Sequence, residues 1–390
     1  MSESTPTPAE PPKSGGIGGK LLYFLLVAIP IAAVLHFTED RELVPHPKLW
    51  VFITACIAII PLAGLMGRAT ENLSEAMGPS IGGLLNATFG NAAELIIALF
   101  ALRAGKVDLV KASITGSILG NILLVLGLSI VAGGFFHRRQ TFNRTSASLG
   151  ATLLALASIG LIVPTIYFEL TKNVPAAERS ATLNFLSEEI AGILALMYVL
   201  SLLFNLLTHR HLFAGPETER DVHAEPPEWG KLTSIIVLLV ATAGVAWMSE
   251  MLVGSVEEAG AQLGMNHVFV GVIVVAIIGN AAEHSTAILV AMKDQMDLAF
   301  TIAIGSSIQI ALFVAPVLVF AGWAMGGSST LDLHFSSMEV ISVIIAAGVT
   351  YMVSQDGETH WMEGAMLLAV YVMLALAFYH LPVPTPAAPH

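Results

Sequence analysis

The sequence predicts an all-α integral membrane protein of about eleven transmembrane helices, and its composition, its apolar runs and an internal repeat all favour this class. Of the 390 residues, 55% are hydrophobic and only 12% are charged, whereas a soluble domain carries about a quarter charged residues. Apolar runs of about twenty residues recur along the chain, and each is long enough to cross a hydrocarbon core of about 30 Å. Most of the chain is therefore expected to lie in lipid.

Polar breaks between the apolar runs give the order of the predicted elements. Residues 1–19, rich in Pro, Ser, Thr and Gly, are predicted to form a disordered tail. An extra N-terminal transmembrane helix and loop (20–48) follow, then a first five-helix repeat (49–208), an acidic cytoplasmic linker (209–231) and a second five-helix repeat (232–381). The predicted spans lie near residues 21–37, 49–67, 78–102, 108–135, 146–170, 185–208, 232–253, 266–292, 297–325, 336–354 and 360–381.

The charges and the single cysteine exclude some partners and favour others. A formal net charge of -12 argues against nucleic acid as a partner and suits a cationic ligand. The lone Cys56 lies in an apolar run, so one chain can form neither a disulfide framework nor a thiolate metal site. Ten of the 17 Lys and Arg residues lie on the cytoplasmic side if the N-terminus is cytoplasmic, which favours that orientation. The short tails favour a prokaryotic inner (plasma) membrane. The sequence is compatible with a homo-oligomer as well as with a monomer.

An internal repeat divides the chain into two related halves. The pentapeptide Gly90-Asn91-Ala92-Ala93-Glu94 recurs unchanged at residues 279–283, an offset of 189, and the same offset relates Gly116-Ser117 to Gly305-Ser306. Because each half is predicted to contain five helices, an odd number, the second half enters the membrane from the opposite side. The halves are therefore predicted to be inverted repeats about an axis in the membrane plane.

The repeat predicts a site at the middle of the membrane. Inverted repeats place corresponding residues opposite each other near the midplane, so Glu94 and Glu283 are expected to meet there. A carboxylate costs about 2.5–3.5 kcal/mol at the centre of a lipid-facing helix, so both should face the bundle interior and need protons or a metal ion. Asn91 and Asn280 each lie three residues before the glutamate, on the same helical face.

The remaining polar residues near these motifs offer oxygen ligands. The next helix of each half would add Ser117 with Asn121 and Ser306 with Gln309, while His284 is the one imidazole. Calcium takes about six to eight oxygen ligands, and such a set could also accept manganese. No cofactor is predicted: the cation, bound by Glu94 and Glu283, would be transported. Two close carboxylates resist ionising together, so protons and a divalent ion would compete for the same oxygens, as antiport requires.

These motifs together resemble the calcium/proton exchanger family of the cation/calcium exchanger superfamily, over about residues 49–380. The resemblance is carried by the two Gly-Asn-Ala-Ala-Glu segments, the second followed by His284, and by Gly116-Ser117-Ile118-Leu119-Gly120-Asn121 and Gly305-Ser306-Ser307-Ile308-Gln309. It implies an extra N-terminal helix before a five-plus-five inverted repeat, an acidic central linker, and Ca²⁺ transport in exchange for H⁺.

The resemblance also implies roles for individual residues. Glu94 and Glu283 would carry Ca²⁺ and protons, and the residues with amide or hydroxyl groups would be polar neighbours in the pathway. Sodium-coupled relatives favour Gly-Thr-Ser before the acid, and the Gly-Asn-Ala of this chain favours protons instead. On the residues alone, Glu71 and Glu257 are candidate gate or entry residues on the two sides of the membrane.

Other functions stay open at this point. Sodium/calcium exchange, or exchange of another cation, is the nearest alternative. A polytopic membrane enzyme could use Glu283 and His284 as acid and base, although the chain has no His-Glu-x-x-His motif and the first copy of the repeat has no histidine. A channel is a third class, but channels usually assemble one pore from equivalent subunits, whereas an inverted repeat suits alternating access.

Overall fold

The computed structural model describes residues 23–41, 44–209 and 229–382. The predicted tail at 1–19 and most of the predicted linker at 209–231 lie outside these ranges. Within them the chain is a helical bundle, which confirms the predicted fold class with one correction. Two strands of two residues each are present, where the sequence predicted helices and loops only.

The first half begins with a short apolar helix and continues with longer ones. The helices are α1 (Ala28–Phe37), α2 (Pro47–Met77), α3 (Pro79–Phe89), α4 (Ala92–Arg103), α5 (Val107–Phe136), α6 (Arg144–Leu170) and α7 (Ala176–Thr208), with strand β1 (Gln140–Thr141) between α5 and α6. The predicted span at 49–67 is longer in the structure, because α2 continues through a charged last third that includes Arg68 and Glu71.

The second half repeats this order. Its helices are α8 (Lys231–Gln262), α9 (His267–Gly279), α10 (Ala281–Ala291), α11 (Met296–Met325), α12 (Ser337–Val353) and α13 (Trp361–Tyr379), with strand β2 (Glu358–Thr359) between α12 and α13. The long first helices of the two halves, α2 and α8, pack against each other, and Gly244 lets Leu62 approach closely: a Cβ there would lie 2.9 Å from a Leu62 methyl carbon.

Most of these helices can cross a membrane. In the part of the chain that the structure describes, eight helices are long and apolar enough, or nine if the bent pair α9 and α10 forms one span. Two shorter apolar helices, Tyr23–Phe37 and Ser337–Val353, accompany them. The prediction of a polytopic membrane protein is confirmed, while the count of eleven spans and the domain boundaries stay predictions.

The helices next to the repeated motifs are irregular in both halves. Residues Gly120–Val125 in α5 and Ile310–Val314 in α11 form π-helical turns directly after the repeated Gly-Ser segments. The second predicted span of each half is interrupted at an asparagine, since Asn91 separates α3 from α4 and Asn280 separates α9 from α10. Such interruptions are tolerated inside a membrane where the backbone is buried in protein or lines a cavity, and π turns occur frequently at functional sites.

One face of the bundle, called the ribbon face, is closed by the two strands. Strand β1 pairs antiparallel with β2, with Gln140 opposite Thr359, and Arg139 forms an ion pair with Glu358. The ribbon joins the loop after α5 to the loop after α12, so it ties the first half of the chain to the second. The α2–α3 junction and the start of α11 lie on this face.

The opposite face, called the Lys111 face, is held by a buried cation. Lys111 Nζ lies 2.5 Å from Asp332 Oδ1 and donates to the backbone oxygen of His334 at 2.7 Å. Burial, followed by the nearby Lys111 cation, lowers the pKa of His334 below its ordinary value of 6.5. Because α3 starts at the ribbon face and its counterpart α9 starts at the Lys111 face, the two halves run in opposite directions, as inverted repeats require.

Candidate functional site

The two repeated glutamates lie where the helices are interrupted. Glu94 is in the first turn of α4 and Glu283 in the first turn of α10. The preceding residues, Asn91 and Asn280, have ψ angles of 27° and 5°, outside the α-helical range, so each helix restarts just before its glutamate. The carboxylates therefore lie near a helix N-terminus, where the partial positive charge of free backbone N–H groups favours an anion.

Each carboxylate packs against the glycine of the other half. Glu94 Oε1 lies 3.4 Å from the position that a Cβ on Gly279 would occupy, and Glu283 Oε1 lies 3.7 Å from the corresponding position on Gly90. A Cβ at 279 would crowd Glu94, whose Cγ would be 3.3 Å away, whereas a Cβ at 90 would crowd the backbone oxygen of Asn86 at 2.8 Å and only touch Glu283. The contacts place the two glutamates at one interface between the halves, as the repeat predicted.

One oxygen of each carboxylate is buried without a hydrogen-bond partner. Among the described residues, no donor reaches Oε2 of Glu94 or Oε2 of Glu283. Burying an ionised carboxylate without compensation costs several kcal/mol, so these oxygens require a proton or a cation. The site has the chemistry to hold either.

Two related hydrogen bonds join the halves beside the carboxylates. Ser306 Oγ donates to Asn91 Oδ1 at 2.8 Å, and Asn280 Nδ2 donates to Ser117 Oγ at 3.0 Å. Each bond joins the asparagine of one half to the serine of the other, and the offset of 189 converts one pair into the other. Each serine therefore bonds to the site asparagine of the opposite half.

The rest of the network is not symmetric. Asn121 Nδ2 lies 3.0 Å from Ser306 Oγ, and Asn121 Oδ1 accepts from His284 Nε2 at 3.2 Å. Asn91 Nδ2 donates to Gln309 Oε1 at 2.5 Å. At an offset of 189, the residues that correspond to Asn121 and His284 are Ile310 and Leu95, which are apolar. Asn121 and His284 therefore have no polar counterpart in the opposite half, although the carboxylates and the asparagines of the repeated motif match.

Nine of the eleven predicted site residues meet in this cluster, and two lie elsewhere. Glu71 is exposed near the end of α2, and Glu257 is exposed on α8, where it pairs with Lys106 at the Lys111 face. Among the described residues, neither hydrogen-bonds to the cluster. Their role as gate residues stays a prediction.

The donor set of the cluster consists mainly of oxygens. In the described residues, no group of three or more His, Cys, Asp and Glu side chains could hold a metal ion. Two carboxylates remain, surrounded by amide and hydroxyl oxygens, which are the ligands of hard cations such as Ca²⁺. The sequence did not predict the contact of Gly90 and Gly279 with the carboxylates, although both glycines begin the repeated motif.

Comparison with known proteins relates the chain to ion exchangers. The family model described as sodium/calcium exchanger protein matches residues 47–207 and 233–380. The Ca(2+)/H(+) antiporter of Synechocystis is 44% identical over 376 residues, which cover 93% of this chain and 98% of that protein. The Ca(2+)/H(+) antiporter ChaA of Bacillus subtilis is 43% identical, with 92% of this chain and 99% of that protein covered.

Solved structures show the same architecture. The crystal structure of the Ca2+/H+ antiporter YfkE matches with a TM-score of 0.77 and 39% identity, over 93% of this chain and all of that one. The H+/Ca2+ exchanger CAX matches with a TM-score of 0.63 at 14% identity over 92% of both chains, which supports the fold alone. The resemblance predicted from the motifs is confirmed, and the chain belongs to the sodium/calcium exchanger protein family.

Proposed function

We propose that this protein is a calcium/proton antiporter that moves Ca²⁺ and H⁺ in opposite directions by alternating access. The observation that carries the proposal is the pair Glu94 and Glu283, brought together from the two halves, each with a buried Oε2 that has no partner in the described residues. The closely similar relatives from Synechocystis and Bacillus subtilis carry the name Ca²⁺/H⁺ antiporter, which supports the same function here.

Charge balance gives the exchange its coupling. With both carboxylates ionised the site carries two negative charges, and moving these through a low-dielectric barrier is costly. One Ca²⁺ neutralises both charges, and two protons do so as well. Only the calcium-loaded and the proton-loaded site would change conformation readily, so each ion must leave before the other can be carried.

The neighbouring amides would complete the coordination of Ca²⁺. Asn91 Oδ1 and Asn280 Oδ1 each accept a hydrogen bond within the protein, but a carbonyl oxygen has two lone pairs and can also face an ion. Carboxylate, amide, hydroxyl, backbone and water oxygens would together supply about six to eight ligands. Mn²⁺ accepts the same oxygens and would be a second substrate.

The Asn121–His284 pair would set the asparagine geometry on one side of the site. Because Asn121 Oδ1 can only accept, His284 Nε2 must carry the hydrogen that joins them. That bond fixes the amide so that its Nδ2 group points at Ser306 Oγ. His284 would therefore position the network rather than coordinate the ion.

The chain would lie in the bacterial inner membrane with the ribbon face in the cytoplasm. Arg138, Arg139, Arg144 and Lys293 lie on or next to that face, and basic residues concentrate on the cytoplasmic side of membrane proteins. The same orientation places the N-terminus and the linker around residues 209–231 in the cytoplasm.

A transport assay separates proton coupling from sodium coupling. Proteoliposomes that contain the protein and a trapped pH indicator should report proton movement when Ca²⁺ is added to a sodium-free medium, with no change on adding Na⁺ alone. Calcium movement that requires Na⁺ and leaves the indicator unchanged would contradict the proposal and favour sodium/calcium exchange.

A further inference from the structure

Helices α5 and α11 are attached to the loops that follow them in different ways. The two helices have the same length, and the offset of 189 converts the bounds of α5 into those of α11. On α5, the Lys111 ammonium binds Asp332 in the loop before α12. The counterpart of Lys111 on α11 is Phe300, whose ring stacks on Phe142 in the loop before α6, with ring centroids 4.0 Å apart. An aromatic contact at the ribbon face thus replaces a cation at the Lys111 face.

A cavity with a volume of about 120 Å³ lies beside Phe300, between α6 and α11. Its inner part is lined by apolar side chains such as Leu153 and Ile308, and its outer part at the ribbon face is polar. The polar lining residues are Asn143, Ser146, Asp297 and Thr301, together with Asn205 of α7. A water molecule needs only about 10–15 Å³ of such a volume. The outer part therefore has room for an ion and its water.

Two acceptors in this outer part suit a cation. Asp297 accepts the backbone N–H of Asn143, and no basic side chain of the described residues forms an ion pair with it. Asn205 Oδ1 is buried and has no donor in the parts of the chain that the structure describes. A carboxylate that accepts one hydrogen bond keeps free lone pairs, and a buried amide oxygen without a donor costs free energy. A bound cation would satisfy both groups.

The other half of the chain shows what a cation does at the equivalent place. Asp108 corresponds to Asp297 at the offset of 189 and lies three residues before Lys111, within one helical turn. Lys111 Nζ donates to Asp332 Oδ1 and to a backbone oxygen, and these bonds fasten α5 to the loop before α12. Because Phe300 carries no charge, α11 has the acidic residue of this arrangement without the ammonium. A free cation could take the place of the lysine.

We infer that the outer part of this cavity binds a monovalent alkali cation, Na⁺ or K⁺, between Asp297 and Asn205. The ion fastens α11 to the loop before α6 and to the end of α7. One carboxylate balances one positive charge, whereas a divalent ion would leave an uncompensated charge in a partly buried place. Carboxylate and amide oxygens are ligands of hard cations. This ion is distinct from the transported one, because it binds without Glu94 or Glu283.

Thermal unfolding of the purified protein in calcium-free detergent solution tests the site. KCl or NaCl should raise the unfolding midpoint saturably, by about 2 °C or more relative to N-methyl-D-glucamine chloride at equal ionic strength, because a ligand of the folded state stabilises it. The salt that acts at the lower concentration identifies the preferred ion. Asp297→Asn keeps an acceptor for the Asn143 N–H but removes the charge, so it should abolish the shift. The matched control Asp294→Asn, at an exposed aspartate three residues earlier, should retain it.

Phe300→Lys gives the opposite test. The new ammonium would lie one turn from Asp297, as Lys111 lies one turn from Asp108, and would replace the ion. The unfolding midpoint of this variant should no longer depend on KCl or NaCl, and a dependence as large as that of wild type would count against the site. If Phe300→Lys does not fold, the comparison of Asp297→Asn with Asp294→Asn decides the question.

Three results would overturn the site. They are the absence of a specific shift in wild type, an equal shift in wild type and Asp297→Asn, and a stabilisation that only Ca²⁺ produces and that Asp297→Asn removes. The last would mean that the cavity holds a divalent ion instead. None of these results decides calcium/proton exchange, which is measured separately by transport in proteoliposomes.

Discussion

The two halves of this chain share the same site residues but differ in how they pack around them. The second half bends by 61° between α9 and α10, whereas Ile81–Arg103 in the first half passes as one span without a bend above 40°. Helix α9 of the bent half packs directly on α5, where a Cβ on Gly116 would overlap the backbone of Val272, whereas a Cβ on Gly305, the counterpart of Gly116 on α11, would meet nothing within 4 Å. Equivalent sequences therefore hold two different conformations within one molecule.

This difference follows from what a carrier must do. A site that opened to both faces at once would leak ions, so the two equivalent halves cannot both be open at the same time. The repeated carboxylates and asparagines keep the site chemistry constant, while the glycines on either side allow the packing to change. The two halves should therefore be equal in chemistry and unequal in packing.

The largest effect is expected where the halves are equal. Glu94→Gln and Glu283→Gln should each abolish calcium exchange and leave the protein folded, because each change removes charge and titration but keeps the shape of the side chain. Exchange is measured in proteoliposomes and folding by thermal unfolding. The control Glu250→Gln, on the exposed part of α8, should exchange like wild type, and full activity in either site variant would refute the equal roles.

A smaller effect is expected at the glycines that face the carboxylates. Gly279→Ala would place a Cβ 3.3 Å from Glu94 Cγ, closer than an ordinary contact. Overpacking of this kind should raise the dissociation constant for Ca²⁺ about tenfold, measured by equilibrium binding. Gly254→Ala, where nothing lies within 4 Å, is the control. An unchanged affinity in Gly279→Ala would show that the carboxylate does not depend on this contact.

The two membrane faces should also differ in the stability of their ion pairs. The Lys111–Asp332 pair is largely buried, with side-chain exposures of 11% and 25%, so Lys111→Met should lower the free energy of unfolding by about 1–3 kcal/mol. Adding Asp332→Asn should recover part of this loss. The Arg139–Glu358 pair on the ribbon face is more exposed, and Arg139→Ala should not change the midpoint of thermal unfolding. Equal losses from the two single variants would contradict the comparison.

The smallest effect concerns pH at the Lys111 face. The pKa of His334 is lowered in the folded protein by burial and by Lys111, so the unfolded state binds a proton at higher pH than the folded state does. Stability should therefore fall as the pH decreases from about 6.5 toward the lower folded pKa. His334→Gln should make this decline shallower in thermal unfolding measured between pH 7.5 and pH 5. An unchanged slope would show that His334 does not contribute to it.

The sequence predicted the fold class and the composition of the cluster, because both are encoded by features that do not depend on conformation. Apolar runs mark spans in any state, and identical pentapeptides at one offset must lie at equivalent places in the two halves. The grouping of Asn91, Ser117, Asn280 and Ser306 around the two glutamates follows from that equivalence.

The ion pairs, the two-stranded ribbon and the glycine contacts depend on how the helices pack, and the repeated motifs do not predict that packing. The Lys111–Asp332 pair joins residues 221 positions apart, and neither belongs to a repeated motif. The ribbon at Gln140 and Glu358 is too short to leave an alternating pattern. The difference between Gly116 and Gly305 cannot be read from the sequence at all, because identical residues occupy a closed and an open contact.

The most direct test of the central claim is ⁴⁵Ca²⁺ uptake into proteoliposomes that hold a pH gradient in the absence of sodium, compared between wild type and Glu283→Gln. A calcium/proton antiporter that uses this carboxylate predicts uptake that needs the gradient in wild type and disappears in the variant. Uptake that persists in Glu283→Gln, or a folded wild type that takes up calcium only when sodium is present, would contradict it.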